Sequence, residues 1–175
     1  RWHTDVSCED EPPMGSILHL WQVPEVGGDT LFANQYLAYE GLSEGMKTLL
    51  AGLKCIHSDR KVAGPNAPVT RGKRSTPVRT DGAWRETRSS HPVVRTHPET
   101  GKKAIYVHPG KLERIVGREA EESNEYVGAL LDRVIGEANT YRHKWRAGDL
   151  LFCDNRAVMH RAHRDYDMAE GRVMH

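Results

Sequence analysis

No window of the 175 residues approaches the roughly 18 to 20 apolar residues that a membrane-spanning helix needs. Mean hydropathy is −0.66, so a membrane partner is not expected. No secretory signal is legible at the start of the chain. Cysteine is scarce: Cys8, Cys55 and Cys153 are odd in number, widely spaced and free of any Cys-x-x-Cys. That excludes a disulfide framework and argues against a zinc site built on thiols. Reduced thiols in a cytoplasmic protein are the expectation. Neither sign of charge dominates, with 25 Lys and Arg against 24 Asp and Glu. A net charge of +1 gives no global basic field for nucleic acid. The length suits one domain, 1–175, with a real core.

What the chain does contain starts at Trp2-His3-Thr4-Asp5. On an extended segment side chains alternate with period two, so His3 and Asp5 point to one side. One imidazole nitrogen and one carboxylate oxygen can then reach a common metal. Two protein ligands rarely hold a catalytic metal, and the leading candidate for a third is His160, near the other end of the chain. His19 and His163 are its rivals. Two His and one carboxylate would form the facial triad of non-haem Fe(II) oxygenases, with three positions open. A surface His beside a capping Asp is the plainer reading of the triplet. A zinc or manganese hydrolase or isomerase, or a binding domain without metal, are further alternatives.

Along the chain, the acidic, proline-paired stretch 9–13 predicts a loop. Residues 15–23 predict a strand apolar on both faces, hence covered on both sides. Pro24 to Gly28 predicts a turn, with glycines for conformations other residues dislike. Asp29 to Asn34 predicts the next strand, and 35–53 a helix broken after Gly41. Residues 55–58 predict a short strand, with His57 structural. The irregular stretch 60–90 reads either as a lid-like insertion, whose cations (Arg60, Lys61, Arg71, Lys73, Arg74, Arg79) suit an anionic substrate, or as a solvated, mobile loop. His91 to Val107 predicts a hairpin turning at Pro-Glu-Thr-Gly. A short turn is expected at 112–116 and a helix over 119–138. Strands are expected at 141–145 and at 150–153 (buried), after which Asp154-Asn155 turns the chain and 158–160 delivers His160.

Five segments in order, WHTD, VPEVGGDTLFAN, HPVVRTHPETGKKAIYV, WRAGDLLFCDNRAVMHRA and RVMH, resemble the TauD/TfdA family of Fe(II)- and 2-oxoglutarate-dependent dioxygenases. The resemblance runs over nearly the whole chain. It implies a mainly β fold with flanking helices, built on a double-stranded β-helix of the jelly-roll, cupin-like type. It also implies that the core's N-terminal portion and last strand lie outside 1–175. It selects His160 over its rivals as the metal ligand beside His3 and Asp5. It implies that Thr30 and Arg172 bind the carboxylate of 2-oxoglutarate far from iron. A fork-shaped guanidinium suits that carboxylate. It implies O2 and a small organic anion (sulfonate, alkyl sulfate or phenoxyalkanoate) as substrates, and a homo-oligomer. Asp5 argues against the halogenating relatives, which lack that carboxylate. Cys153 stands where many relatives have Trp, which opens space near the metal.

Overall fold

The computed structural model describes residues 1–64, 84–167 and 170–175. Most of the expected insertion, with Arg71, Lys73, Arg74 and Arg79, therefore lies outside the described residues. The strands are β1 Gly15–Gln22, β2 Thr30–Asn34, β3 Lys54–Ser58, β4 Arg88–Pro92, β5 Val94–Thr96, β6 Lys103–Ile105, β7 Leu112–Ile115, β8 Thr140–His143, β9 Leu150–Asp154, β10 Val158–Ala162 and β11 Val173–Met174. The helices are α1 Gln35–Glu40, α2 Glu44–Ala51, α3 Arg60–Ala63 and α4 Ala120–Val134. Mostly short strands with a few helices outside them match the expected fold class.

Three antiparallel sheets of three strands run β11-β1-β9, β10-β2-β8 and β4-β3-β7, and β5 pairs with β6. Strands distant in sequence become neighbours: Thr30 lies opposite Ala162, and Phe32 opposite His160. Alternation then puts Ala33 and Met159 on the other face of that sheet, where both are fully buried. The core lies on that side. Val127, Leu130 and Leu131 form the apolar stripe of α4 and cluster with Met159, Ala38 of α1 and Leu50 of α2. Burying each such Leu contributes about 1.5–3 kcal/mol.

The helix break falls as expected. Asn34 caps α1 through its side chain and Ser43 caps α2, so the chain restarts after Gly41. Gly27 and Gly28 hold φ of +82° and +74°. A Cβ on Gly27 would lie 2.6 Å from the Asp165 carbonyl oxygen, so that turn needs glycine. In the β9–β10 turn, burial alone would raise the carboxyl of Asp154, but bonds from Arg156 and His97 outweigh it and hold it at about 2.

Four expectations need correction. Residues 112–115 form a strand, not a turn, because they complete the edge of β3. The helix expected to Ala138 ends at Val134, with a separate 3-10 turn at Glu137–Asn139. Strand β1 is not covered on both faces, since Ile17 and Trp21 are 61% and 65% exposed. Strand β9 is likewise not buried: Leu150 and Phe152 are exposed on the same face as Ile17, and only Cys153 is enclosed.

A candidate metal centre

His3 and His160 are joined by their backbones. The His3 amide donates to the His160 carbonyl at 3.1 Å and the His160 amide returns the bond at 2.7 Å. Residues paired this way across antiparallel segments send their side chains to the same side. Their rings stand 4.3 Å apart, centroid to centroid. Asp5, two residues beyond His3, arrives on that side too, while Thr4 between them turns away and is fully buried. Both imidazole Nε2 atoms lie 3.9 Å from Asp5 Oδ1. One ligand atom from each of the three residues falls within 4.8 Å of the others.

This donor set fits a divalent ion. Nitrogen and oxygen ligands sit roughly 2.0–2.2 Å from such an ion, so two donors to one ion can stand up to about 4.2 Å apart. At 3.9 Å the carboxylate is too far from either imidazole for a hydrogen bond. His3 Nδ1 bonds the Arg1 carbonyl at 3.0 Å, which requires the proton on Nδ1 and leaves the lone pair on Nε2, toward Asp5. Burial, then repulsion from His3, pulls His160 down to about 4 against the opposing effect of Asp5. His160 is therefore neutral near pH 7, as a metal ligand must be.

The rivals are elsewhere. His19 lies on the opposite face of β1 from Ser16 and accepts a hydrogen bond from Trp21 Nε1 at 3.0 Å. His163 stands 3.6 Å from Asp165. Neither belongs to the converging group.

Thr30 and Arg172, 142 residues apart, meet along the sheet from His160. Arg172 donates through Nε to the Gly28 carbonyl at 2.9 Å and through Nη2 to Thr30 Oγ1 at 3.2 Å. Trp145 Nε1 also donates to Thr30 Oγ1, at 2.9 Å. With both lone pairs of that oxygen engaged, its own O–H is the bond left to give. Among the described residues no carboxylate pairs with Arg172, and burial lowers the pKa of its guanidinium. A hydroxyl proton and a half-buried cation side by side make an anion site.

Three supporting residues escaped the sequence reading. Trp145 orients Thr30. Ser16 donates to Asp5 Oδ2 at 2.5 Å, and Asn155 donates to Ser16 Oγ at 3.0 Å. Asn155 was legible only as part of the Asp-Asn-Arg segment, and a lone Ser in a strand carries no signal. Cys153 is Ser16's cross-strand partner. Burial and the nearby Asp5 raise its thiol, so it stays protonated.

A family model described as taurine catabolism dioxygenase TauD, TfdA family matches residues 1–175. An alkylsulfatase of Acinetobacter baylyi is 35% identical over 165 residues, covering 94% of this chain and 52% of that protein. An alpha-ketoglutarate-dependent sulfonate dioxygenase of Saccharomyces cerevisiae is 34% identical over 167 residues, covering 95% and 38%. The crystal structure of AAD-2 in complex with Mn(II) and N-oxalylglycine superposes with a TM-score of 0.83 at 29% identity, covering all of this chain and 66% of that one. The chain thus spans about half the length, or less, of these curated relatives.

Proposed function

The chain belongs to the taurine catabolism dioxygenase TauD, TfdA family, and we propose that it carries the iron centre of an Fe(II)- and 2-oxoglutarate-dependent dioxygenase acting on a small organic anion. The observation that carries the reading is the convergence of His3, Asp5 and His160. His3 Nε2, His160 Nε2 and Asp5 Oδ1 would hold the metal. When bound, Fe(II) supplies dioxygen activation that couples conversion of 2-oxoglutarate to succinate and CO2 with hydroxylation of a substrate C–H bond.

The chain's own residues bind and orient. Thr30 and Arg172 take the far carboxylate of 2-oxoglutarate, Thr30 by its free O–H and Arg172 by guanidinium hydrogens not given to Gly28 or Thr30. This pair, at a fixed remove from the triad, favours a cosubstrate-dependent enzyme over a metal hydrolase, which has no use for it. The substrate we propose is of the sulfonate, alkyl sulfate or phenoxyalkanoate type. An alkylsulfatase and a sulfonate dioxygenase among the relatives support the first two. We extend the reading to the cytoplasm, for which three free buried thiols are the support. We extend it also to a homo-oligomer, which the exposed apolar face around Ile17, Trp21, Leu150 and Phe152 suits. No described helix is long and apolar enough to cross a membrane.

The test is optical. Fe(II) and 2-oxoglutarate added without oxygen should give a visible metal-to-ligand charge-transfer band. Asp5→Ala and His160→Ala should lose it, and His163→Ala should keep it. A wild-type protein that binds iron but shows no band with 2-oxoglutarate would overturn the reading.

A further inference from the structure

Asp5 has two carboxylate oxygens, and the structure treats them differently. Oδ1 faces both imidazoles at 3.9 Å. Oδ2 accepts a short hydrogen bond from Ser16 Oγ at 2.5 Å. Ser16 has a second acceptor nearby, Asn155 Oδ1 at 3.3 Å, but its single proton goes to the closer, charged oxygen. The amide of Asn155 is itself fixed. Its Oδ1 accepts from Thr4 Oγ1 at 3.1 Å, and its Nδ2 donates to the Pro13 carbonyl and to Ser16 Oγ. Thr4 Oγ1 shares its single proton between Asn155 Oδ1 and the Asn155 main-chain carbonyl, at 3.0 Å, and the Asn155 amide bonds the Met14 carbonyl. Donation thus runs one way, from Asn155 Nδ2 to Ser16 and from Ser16 to Asp5. Each bond polarises the next.

Room for the chain of bonds comes from across the sheet. Ser16 lies opposite Cys153 on β9, so two small side chains sit where the carboxylate must fit. Thr4 and Asn155 are 0% and 2% exposed, which makes the anchor rigid.

We propose that Ser16, held by Asn155, is a positioning residue that occupies one oxygen of Asp5 and leaves the other alone to reach the metal. A carboxylate free to turn could offer both oxygens and close one of the positions that a facial triad keeps open. Ser16 keeps that position for cosubstrate or dioxygen. The inference rests on the iron-centre reading above.

The experiment measures metal binding rather than turnover. Co(II) is titrated anaerobically into the full chain and followed by its visible absorption. Ser16→Ala should weaken Co(II) binding about 10- to 100-fold and change the band shape. Ser16→Thr, which keeps the hydroxyl, should restore both. Thermal melting of the metal-free variants shows that they are folded. If Ser16→Ala binds Co(II) with wild-type affinity and an unchanged spectrum, this inference is overturned and the iron-centre reading stands. If the wild type takes up no Co(II), the reading and this inference fall together.

Discussion

Two polar clusters lie at either end of the segment 4–9, and they are built on opposite plans. At its start, Thr4, Asp5, Ser16 and Asn155 form a network in which each side chain has a protein partner. At its end, Ser7 and Glu9 enter a nest of rings: His57, His91, Tyr106 and His108, with centroids 4.5 to 6.1 Å apart. All four are nearly or fully buried. The Ser7 carbonyl meets His57 Nδ1 and the Glu9 carbonyl meets His91 Nε2. Among the described residues, Ser7 Oγ, His57 Nε2, Tyr106 Oη and both nitrogens of His108 have no protein partner. The first cluster fixes directions by hydrogen bonds, as a ligand site must. The second is held by packing, and burial keeps its imidazoles neutral. It supports the segment that follows Asp5 at the expense of tolerance to acid.

The largest consequence is a pH dependence to which the ring cluster contributes more than the metal site, where His160 alone is pulled down by burial. Burial is the main cause that brings His57 down to about 3, with repulsion from His91 and Lys111 adding to it and the bond to the Ser7 carbonyl opposing it. His108 and Tyr106 face it without countercharge. The unfolded chain protonates His57 near 6.5, well before the folded protein does. Its contribution is therefore complete above pH 6.5 and is lost as pH falls from 6.5 toward 3. The loss is about 2 kcal/mol by pH 5 and roughly 4–5 kcal/mol by pH 3. His91 and His108, both lowered first by burial, push the same way. Urea midpoints of the metal-free protein should fall steadily below pH 6.5, and His57→Phe should flatten the curve. A midpoint unchanged between pH 7 and pH 5 would remove the distinction between the clusters.

Smaller in energy is the effect of breaking a bonded group. Thr30→Val keeps shape but strands the Trp145 indole N–H and one arm of Arg172 inside the protein. Leaving buried donors unsatisfied costs about 1–3 kcal/mol. The variant should also need more 2-oxoglutarate to develop the charge-transfer band. Wild-type stability together with a wild-type 2-oxoglutarate requirement would show that Thr30 is neither a structural acceptor nor a ligand.

How far the sequence disclosed all this depended on range. His3 and Asp5 were readable because period two is a local rule. The break at Gly41 was readable because Asn34 and Ser43 are capping residues in capping places. His160 could not be told from His163 or His19 by spacing, and the order of the five segments selected it. Ser16 was invisible, since its role exists only once β1 lies beside β9 and Asn155 closes over it. The alternation in β1 showed two apolar faces but not what covers either, and Ile17 and Trp21 are exposed. The ring cluster gathers His57, His91, Tyr106 and His108 from separate strands and loops, and no single-residue signal marks that meeting.

The smallest predicted effect has the opposite sign to the others and tests the contrast most directly. His108 is 1% exposed, and neither of its nitrogens has a protein partner among the described residues. A buried polar group without a bond costs stability, whereas an apolar group of similar volume in its place is neutral or better. His108→Leu should therefore raise the stability of the metal-free protein by about 1 kcal/mol, the low end of that penalty. Part of the acid sensitivity should go with it, while Co(II) affinity stays within about threefold of wild type. Thr4→Val, the matching change in the bonded cluster, should lower stability, because Asn155 Oδ1 loses its donor. If His108→Leu instead loses more than about 1 kcal/mol, internal water must bond the imidazole. The ring cluster would then be a satisfied network like its neighbour, and its plan would not be different after all.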